Sequence, residues 1–174
     1  MKPIKLLFTK LVLLISVTIV VACTNESITT EQNKTNSQDI EPSLKLDVFK
    51  RESCGCCQGW IDHAESQGIQ TDVDDIVFLT TKKQDLGIEP MYRSCHTSVS
   101  TEGYVFEGHI PVKFIVKYLD NVPQGTTGLS VPGMPVGSPG MENGDQFRPY
   151  QVLLLKDDGT AEVFAEVNSY EEQF

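Results

Sequence analysis

Basic residues are scarce in this chain. Its 174 residues include 14 Lys and Arg against 24 Asp and Glu, which gives a formal net charge of −10 at pH 7. A protein that binds nucleic-acid phosphates needs clustered basic side chains. Because basic residues are few here, nucleic acid is excluded as a partner. The chain also lacks an apolar run of about 20 residues, the length that a membrane-spanning helix requires. With 40% apolar residues, the composition predicts a globular domain.

The N-terminus has the pattern of an export signal. Residues 1–10 carry Lys but no acid, residues 11–22 are apolar or small, and Ala22 stands directly before Cys23. This pattern resembles a bacterial lipobox, so residues 1–22 are interpreted as a lipoprotein signal peptide and Cys23 as the lipidated residue. The chain would then be anchored to a membrane in the bacterial cell envelope, facing the periplasm or the extracellular space. An ordinary secretory signal that is cleaved nearby and an uncleaved anchor are the alternatives.

The rest of the chain divides into a tether and one folded domain. Residues 24–43 are polar and lack periodicity, so residues 23–43 are predicted to form a flexible linker that begins at the lipidated Cys23. Residues 44–174 are predicted to form the domain.

Apolar periodicity and turn residues predict the element order of this domain. The predicted elements are a strand at 44–50, a helix that follows the cysteines and ends at Gln67, a strand at 69–76, a helix capped by Thr80, a hairpin at 96–100 and 104–107, a helix at 111–119 that buries Val112, Ile115, Val116 and Leu119, and a hairpin at 151–156 and 161–167. With cysteines between the first strand and the first helix, this order predicts an α/β, thioredoxin-like fold. It has a mixed sheet, flanking helices and an extra C-terminal hairpin.

A cysteine cluster occupies the junction between the first strand and the first helix. Cys54 and Cys57 form a C-x-x-C pair with Cys56 between them, and Cys95 is the remaining cysteine of the domain. A dithiol oxidoreductase needs only two sulfurs, whereas several neighbouring thiolates can bridge more than one Cu(I) ion. A disulfide between Cys54 and Cys57 and a structural zinc site are the alternatives. Both remain open.

Two methionines and a histidine extend this inventory of metal ligands. Residues 131–141 repeat Pro-Gly-Met, so that turns present Met134 and Met141, and thioether sulfur is a ligand that favours Cu(I). His109 stands just before the helix that Pro111 opens, where the helix N-terminus disfavours a positive charge on the ring. A histidine that only hydrogen-bonds the turn is the alternative there.

His96 would need irregular backbone to reach the same ion as Cys95, because adjacent residues of a strand point to opposite faces. His63 is interpreted as solvated and Met91 as an ordinary core or surface residue.

These motifs together resemble a family of secreted bacterial metal-binding proteins whose copper-resistance members are called CopG. The resemblance rests on four segments of the chain: 54–60, 94–97, 103–111 and 131–142. It implies a thioredoxin-like fold, a C-x-C-C motif that binds several copper ions through bridging cysteines, and a part in copper resistance that includes cycling between Cu(I) and Cu(II). The ligands that it implies here are Cys54, Cys56, Cys57 and Cys95, with Met134, Met141 and His109 as further candidates.

The leading functional hypothesis is an extracytoplasmic copper-resistance protein that holds more than one Cu(I) ion in a cysteine-bridged cluster. Whether this site turns over as a copper oxidoreductase is left open by the sequence. One alternative is a thiol-disulfide oxidoreductase that uses Cys54 and Cys57. The other is a copper chaperone that delivers the ion to an exporter. The expected partners are copper ions, the membrane through the lipid on Cys23, and an exporter or redox partner.

Overall fold

The computed structural model describes residues 44–174, which form seven strands and three α-helices. The elements in chain order are β1 (Lys45–Lys50), α1 (Gly55–Ser66), β2 (Gln70–Asp75), α2 (Leu79–Asp85), β3 (Thr97–Ser100), β4 (Val105–Glu107), α3 (Val112–Asp120), β5 (Thr126–Ser130), β6 (Tyr150–Lys156) and β7 (Ala161–Val167). Short 3₁₀ helices lie at Pro90–Tyr92 and Tyr170–Gln173. The predicted signal peptide 1–22, the lipidated Cys23 and the tether 23–43 lie outside the described residues.

All seven strands belong to one mixed sheet in the order β2-β1-β3-β4-β5-β6-β7. Strand β1 pairs parallel with β2, and β4 pairs parallel with β5. The pairs β1–β3, β3–β4, β5–β6 and β6–β7 are antiparallel. The prediction of an α/β fold with a mixed sheet and flanking helices is therefore confirmed.

The C-terminal hairpin joins the sheet through a strand that the sequence pattern did not reveal. The predicted hairpin is present as β6 and β7, but β5 lies between it and β4. This strand has the sequence Thr-Thr-Gly-Leu-Ser, which offers a single large apolar side chain and a central glycine. It lacks the alternation on which strand prediction depends.

Two details of the predicted helices are wrong. Helix α2 begins at Leu79 with Phe78 at its N-terminal cap, so Thr80 lies inside the helix and does not cap it. In helix α3, Val112, Phe114, Ile115 and Tyr118 are buried, whereas Val116 is 42% exposed. Because the Tyr118 ring packs edge-on against Phe106 and fills the core, the buried face is rotated relative to the predicted one.

Helix α1 is attached to the sheet by its single tryptophan. Trp60, Ile61 and Ala64 are buried and pack in one core cluster with Leu46 and Val48 of β1. The Trp60 indole Nε1 donates a hydrogen bond of 2.9 Å to the Ile110 carbonyl. This contact fixes the first turn of α1 close to the segment that joins β4 to α3. Within residues 44–174, every helix is too short or too polar to cross a bilayer.

Candidate metal centre

One edge of the sheet gathers the candidate residues. Strand β1 ends at Lys50 and leads through a short loop to the cysteine motif, while β3 starts beside that end, since Phe49 pairs with Thr97. Strand β4 ends opposite the same residue, because Glu107 pairs with Thr97, and β5 ends opposite β4, because Ser130 pairs with Glu107. Segments that follow β1, precede β3 and follow β4 and β5 therefore converge. In sheets with parallel strands, ligands commonly bind at such an edge.

Four cysteine sulfurs form the centre of this site. The Sγ atoms of Cys54, Cys56, Cys57 and Cys95 all lie within 4.8 Å of one another. Cys54 and Cys57 are joined by a disulfide, and Cys56 and Cys95 are free thiols. The Sγ atoms of Cys54 and Cys56 are 3.6 Å apart, and those of Cys57 and Cys95 are 3.4 Å apart. The structure thus brings together all four predicted cysteines and places the disulfide alternative in the same site.

Helix α1 explains how three of these sulfurs come to lie together. The helix starts at Gly55, directly after Cys54, and no side chain caps its first turn. Its free N–H groups and the positive end of its dipole therefore face the cysteine motif, an arrangement that stabilises thiolates. Cys95 is partly buried, and burial raises the pKa of its thiol to about 12, with the neighbouring Cys56 adding to the rise. A metal ion would be needed to deprotonate Cys95 near neutral pH.

His109 faces the same sulfurs. Its Nδ1 donates a hydrogen bond of 2.8 Å to the Pro139 carbonyl, and its Nε2 lies 2.9 Å from Cys95 Sγ and accepts from that thiol. The Pro139 carbonyl selects the tautomer in which Nε2 carries the lone pair. Burial lowers the pKa of His109, although the hydrogen bond to Pro139 opposes this effect. The ring is therefore neutral near pH 7, and burial is the leading cause of its neutrality.

His96 also lies at the site, which the alternation argument did not favour. Its Nδ1 is 3.5 Å from Cys95 Sγ, and Cys95, His96 and His109 form a second group of ligand atoms within 4.8 Å. Strand β3 starts only at Thr97, so Cys95 and His96 belong to irregular backbone and reach the same place. The ring is fully buried against Trp60, with ring centroids 4.6 Å apart, and its Nε2 has no hydrogen-bond partner among the described residues. Burial, followed by His109 and Lys83, holds the pKa of His96 well below 6.5.

The Pro-Gly-Met loop at residues 131–141 packs against both halves of the cysteine site. Gly133 N donates to the Arg93 carbonyl at 3.2 Å, and the Ser94 hydroxyl donates to the Gly133 carbonyl. Gly140 rests on the first turns of α1: a Cβ there would lie 2.6 Å from the Cys56 carbonyl oxygen. The loop thus lies against the segments that carry the cysteines.

The methionine side chains of this region differ in exposure. Met134 is 54% exposed, and Met141 is partly buried. Met91 is 73% exposed and lies in the 3₁₀ helix Pro90–Tyr92, in agreement with its interpretation as an ordinary surface residue. His63, in contrast, is partly buried, because its ring packs edge-on against Phe174 at 6.0 Å. Its interpretation as a solvated residue was therefore wrong.

A buried ion pair beneath Cys95 was missed by the sequence reasoning. Glu107 is fully buried and accepts hydrogen bonds from the Lys83 ammonium, the Ser94 N–H and, at 2.6 Å, the Thr97 hydroxyl. Its carboxylate therefore holds the residues on both sides of the Cys95–His96 pair. The signal in the sequence is an acid at the end of the strand Val-Phe-Glu, all three residues of which are buried.

Fold and site together define an α/β protein with a cysteine-rich centre able to hold a soft metal ion. Residues 92–141 match a family model described as "Protein of unknown function, DUF411". Two solved structures, "Copper resistance protein copG- Form 2" and "Copper resistance protein copG- Form 1", are each 41% identical to this chain with a TM-score of 0.67. The alignments cover 71% and 72% of this chain and 98% of each matched chain. The chain belongs to this family, that of copper resistance protein CopG. The comparison with curated protein sequences found no significant match.

Proposed function

We propose that this protein binds copper as Cu(I) at the cysteine site and acts in copper resistance. The observation that carries the proposal is the convergence of four cysteine sulfurs from two distant segments within 4.8 Å. Membership in the CopG family supports copper as the metal.

The donor set favours Cu(I) over the common alternatives. Thiolates and thioethers are soft ligands that select Cu(I), whereas Mg²⁺ and Ca²⁺ require oxygen. Cys54, Cys56, Cys57 and Cys95 supply the sulfurs, and thiolate sulfur can bridge two ions, so the site is proposed to hold more than one. His109 Nε2 and His96 Nδ1 supply buried neutral imidazole nitrogens beside Cys95. Met134 and Met141 are proposed as outer ligands on the adjoining loop.

The disulfide between Cys54 and Cys57 gives the site two forms. In the disulfide form, Cys56 and Cys95 are the remaining thiols among residues 44–174. Reduction supplies two more thiolates, so full copper binding is proposed to require the reduced protein. Exchange between Cu(I) and Cu(II) is proposed as the redox chemistry that bound copper supplies.

The same disulfide favours a second function, thiol-disulfide oxidoreduction by Cys54 and Cys57. Its position at the start of α1 is the feature that supports this alternative. Insulin reduction separates the two functions. Metal-free activity that is lost in Cys57→Ser but kept in Met134→Leu supports exchange, whereas inactivity of the metal-free protein contradicts it.

Fold subclass and cellular location belong to the same proposal. Strands β1 to β4 with helices α1 to α3 are proposed to form a thioredoxin-like unit, supported by the sheet order β2-β1-β3-β4 and by a C-x-x-C pair at the start of α1. The lipobox pattern at Cys23 supports a lipid-anchored protein of the cell envelope. A copper exporter or a redox protein is the proposed partner.

Titration of the reduced protein with Cu(I) against a chromophoric chelator tests copper binding. The expected result is more than one tightly held ion per chain, with fewer ions or weaker binding in Cys95→Ser and His109→Phe. Met91→Leu is the matched control, because Met91 is exposed outside the site. A wild-type stoichiometry near zero would overturn the proposal.

A further inference from the structure

A basic opening lies beside the disulfide. It has a volume of about 290 Å³, and both Cys54 and Cys95 line it. Three of its other lining residues are the bases Arg51, Lys83 and Arg93, and no acid lines it. Hydroxyl groups and one apolar residue complete the wall: Ser53, Ser94, Thr80 and Leu79.

Two of these basic side chains keep their charge unpaired. Lys83 is neutralised by Glu107, which lies behind it in the core. Arg51 is exposed, and neither it nor Arg93 forms an ion pair with a carboxylate within residues 44–174. Arg93 donates only its Nε, to the Ile88 carbonyl at 2.8 Å, so the outer nitrogens of its guanidinium remain available.

This local charge opposes that of the chain as a whole. The formal net charge is −10, so the average surface repels anions. Glu52, which follows Arg51 in the chain, and Asp75 line the neighbouring opening instead, and Asp75 pairs with Lys50 at 2.7 Å. The opening therefore attracts anions electrostatically, whereas the net negative charge of the chain repels them.

The two sulfurs of the disulfide differ in their access from this opening. Cys54 is partly exposed and lines the wall, whereas Cys57 is fully buried. A reagent that enters here reaches Cys54 Sγ first. Cys57 is the better leaving group, because it lies in the first turn of α1, where free N–H groups and the helix dipole stabilise a thiolate.

We infer that the opening formed by Arg51, Lys83 and Arg93 binds small anionic thiols and that such a thiol reduces the Cys54–Cys57 disulfide. The incoming thiolate attacks Cys54 Sγ, the disulfide breaks, and Cys57 leaves with the electron pair as a thiolate. A second thiolate then attacks the sulfur of the bound thiol, which releases Cys54 as a thiolate and the small molecule as its own disulfide. Two thiols are thus oxidised by two electrons, which the protein disulfide accepts.

The inference rests on the proposed function only in one respect, the use of the reduced cysteines as copper ligands. The reduced thiolates would be the copper ligands, so the opening would control which reductants prepare the site. The reduction step itself requires no copper, and it is therefore tested on the metal-free protein.

The test compares three small thiols of graded charge. Metal-free protein with the disulfide intact is mixed anaerobically with 2-mercaptoethanesulfonate, 2-mercaptoethanol or cysteamine, whose thiolate forms carry two, one and no net negative charges. Reduction is followed by alkylation and mass spectrometry, and each rate constant is expressed per thiolate. At low salt the wild-type protein is expected to prefer the sulfonate over cysteamine by roughly tenfold, on the order that two nearby unit charges produce at water-like screening.

Arginine variants locate the origin of the preference. Arg51→Gln and Arg93→Gln are each expected to reduce it by roughly threefold, and salt is expected to reduce it in the wild type. Arg148→Gln is the control, because Arg148 is exposed but does not line the opening. Arg51→Gln removes a side chain that makes no hydrogen bond within the described residues, so a loss of folding is not expected to obscure its result.

Two results would overturn the inference: a wild-type protein that reacts equally with all three thiols, or a preference that Arg51→Gln and Arg93→Gln leave unchanged. If either occurs while the reduced protein still binds Cu(I), the inference fails and the proposed function stands. If the charge preference is present and Cu(I) does not bind, the proposed function fails alone.

Discussion

The buried Lys83–Glu107 pair should stabilise the cysteine site as a unit, so that loss of both partners costs no more than loss of either one. The Glu107 side chain is completely buried and that of Lys83 is 5% exposed. If one of the two charges is removed, water therefore cannot solvate the other. Removing one member of a buried pair costs about 3–5 kcal/mol, because the remaining charge is left uncompensated. Glu107→Gln and Lys83→Met are each expected to lower the free energy of unfolding by about that amount.

The double variant tests the coupling. If the two losses were independent, Lys83→Met combined with Glu107→Gln would lose their sum, about 6–10 kcal/mol by the same figures. The double variant leaves no buried charge, and the amide oxygen that Glu107→Gln introduces can still accept from Ser94 N–H, so we expect a loss close to that of one single variant. Urea unfolding of the disulfide-intact protein, followed by the fluorescence of Trp60 and by circular dichroism, measures each value. A double loss equal to the sum within about 0.5 kcal/mol would refute the reasoning.

An exposed ion pair in the same chain is the control for that cycle. Lys156 pairs with Glu162 across the β6–β7 hairpin, and both side chains are accessible to solvent, at 33% and 56%. Surface pairs contribute little to stability. Glu162→Gln should therefore leave the unfolding curve nearly unchanged. A large effect there would mean that the loss of any paired charge lowers stability, so that the effect at Glu107 would not depend on its burial.

Two further predictions concern the loop and a histidine. In Gly140→Ala, the new Cβ would collide with Trp60 N and lie 2.6 Å from the Cys56 carbonyl oxygen at a φ of +79°, so unfolding free energy should fall by about 3 kcal/mol. Gly133→Ala, where φ is +70° and nothing lies within 4 Å, should cost about 1 kcal/mol, and equal losses in urea unfolding would contradict the packing argument. Burial lowers the pKa of His63 from 6.5, with Glu142 opposing it, so the unfolded chain binds more protons and stability should fall as pH drops through 6.5. His63→Gln should reduce this loss of stability between neutral and acidic pH, and an unchanged pH profile of unfolding would refute the assignment.

The cysteine part of the site could be predicted because its signals are local. The motif Cys54–Cys57 falls between an alternating strand and an amphipathic helix, and Cys95 falls just before a hairpin. Once β1 and β3 are paired antiparallel, the end of one lies beside the start of the other, so the thiols meet. This pairing follows from element order without any detail of packing.

His96 and Glu107 could not be placed in that way because their roles depend on contacts between distant elements. The sequence pattern predicts a strand that starts at His96, with alternate faces from there, whereas β3 begins one residue later. Glu107 was interpreted as the end of a hairpin, where an acid is normally solvated. Only α2, which brings Lys83 over the sheet, makes its burial possible. A one-residue error in a strand start and an unpredicted helix contact therefore account for both omissions.

Three separate sets of contacts position the residues of the cysteine site. The Glu107 carboxylate holds Ser94 and Thr97 around Cys95, the Gly140 backbone seats its loop on α1, and Trp60 anchors α1 to the segment beside His109. None of these three contacts uses a side-chain atom that is proposed as a ligand. Since His96 and His109 are neutral and the Cys95 thiol is protonated near pH 7, the metal-free centre carries little charge that burial would penalise. The fold thus brings the candidate ligands together through contacts within the protein itself.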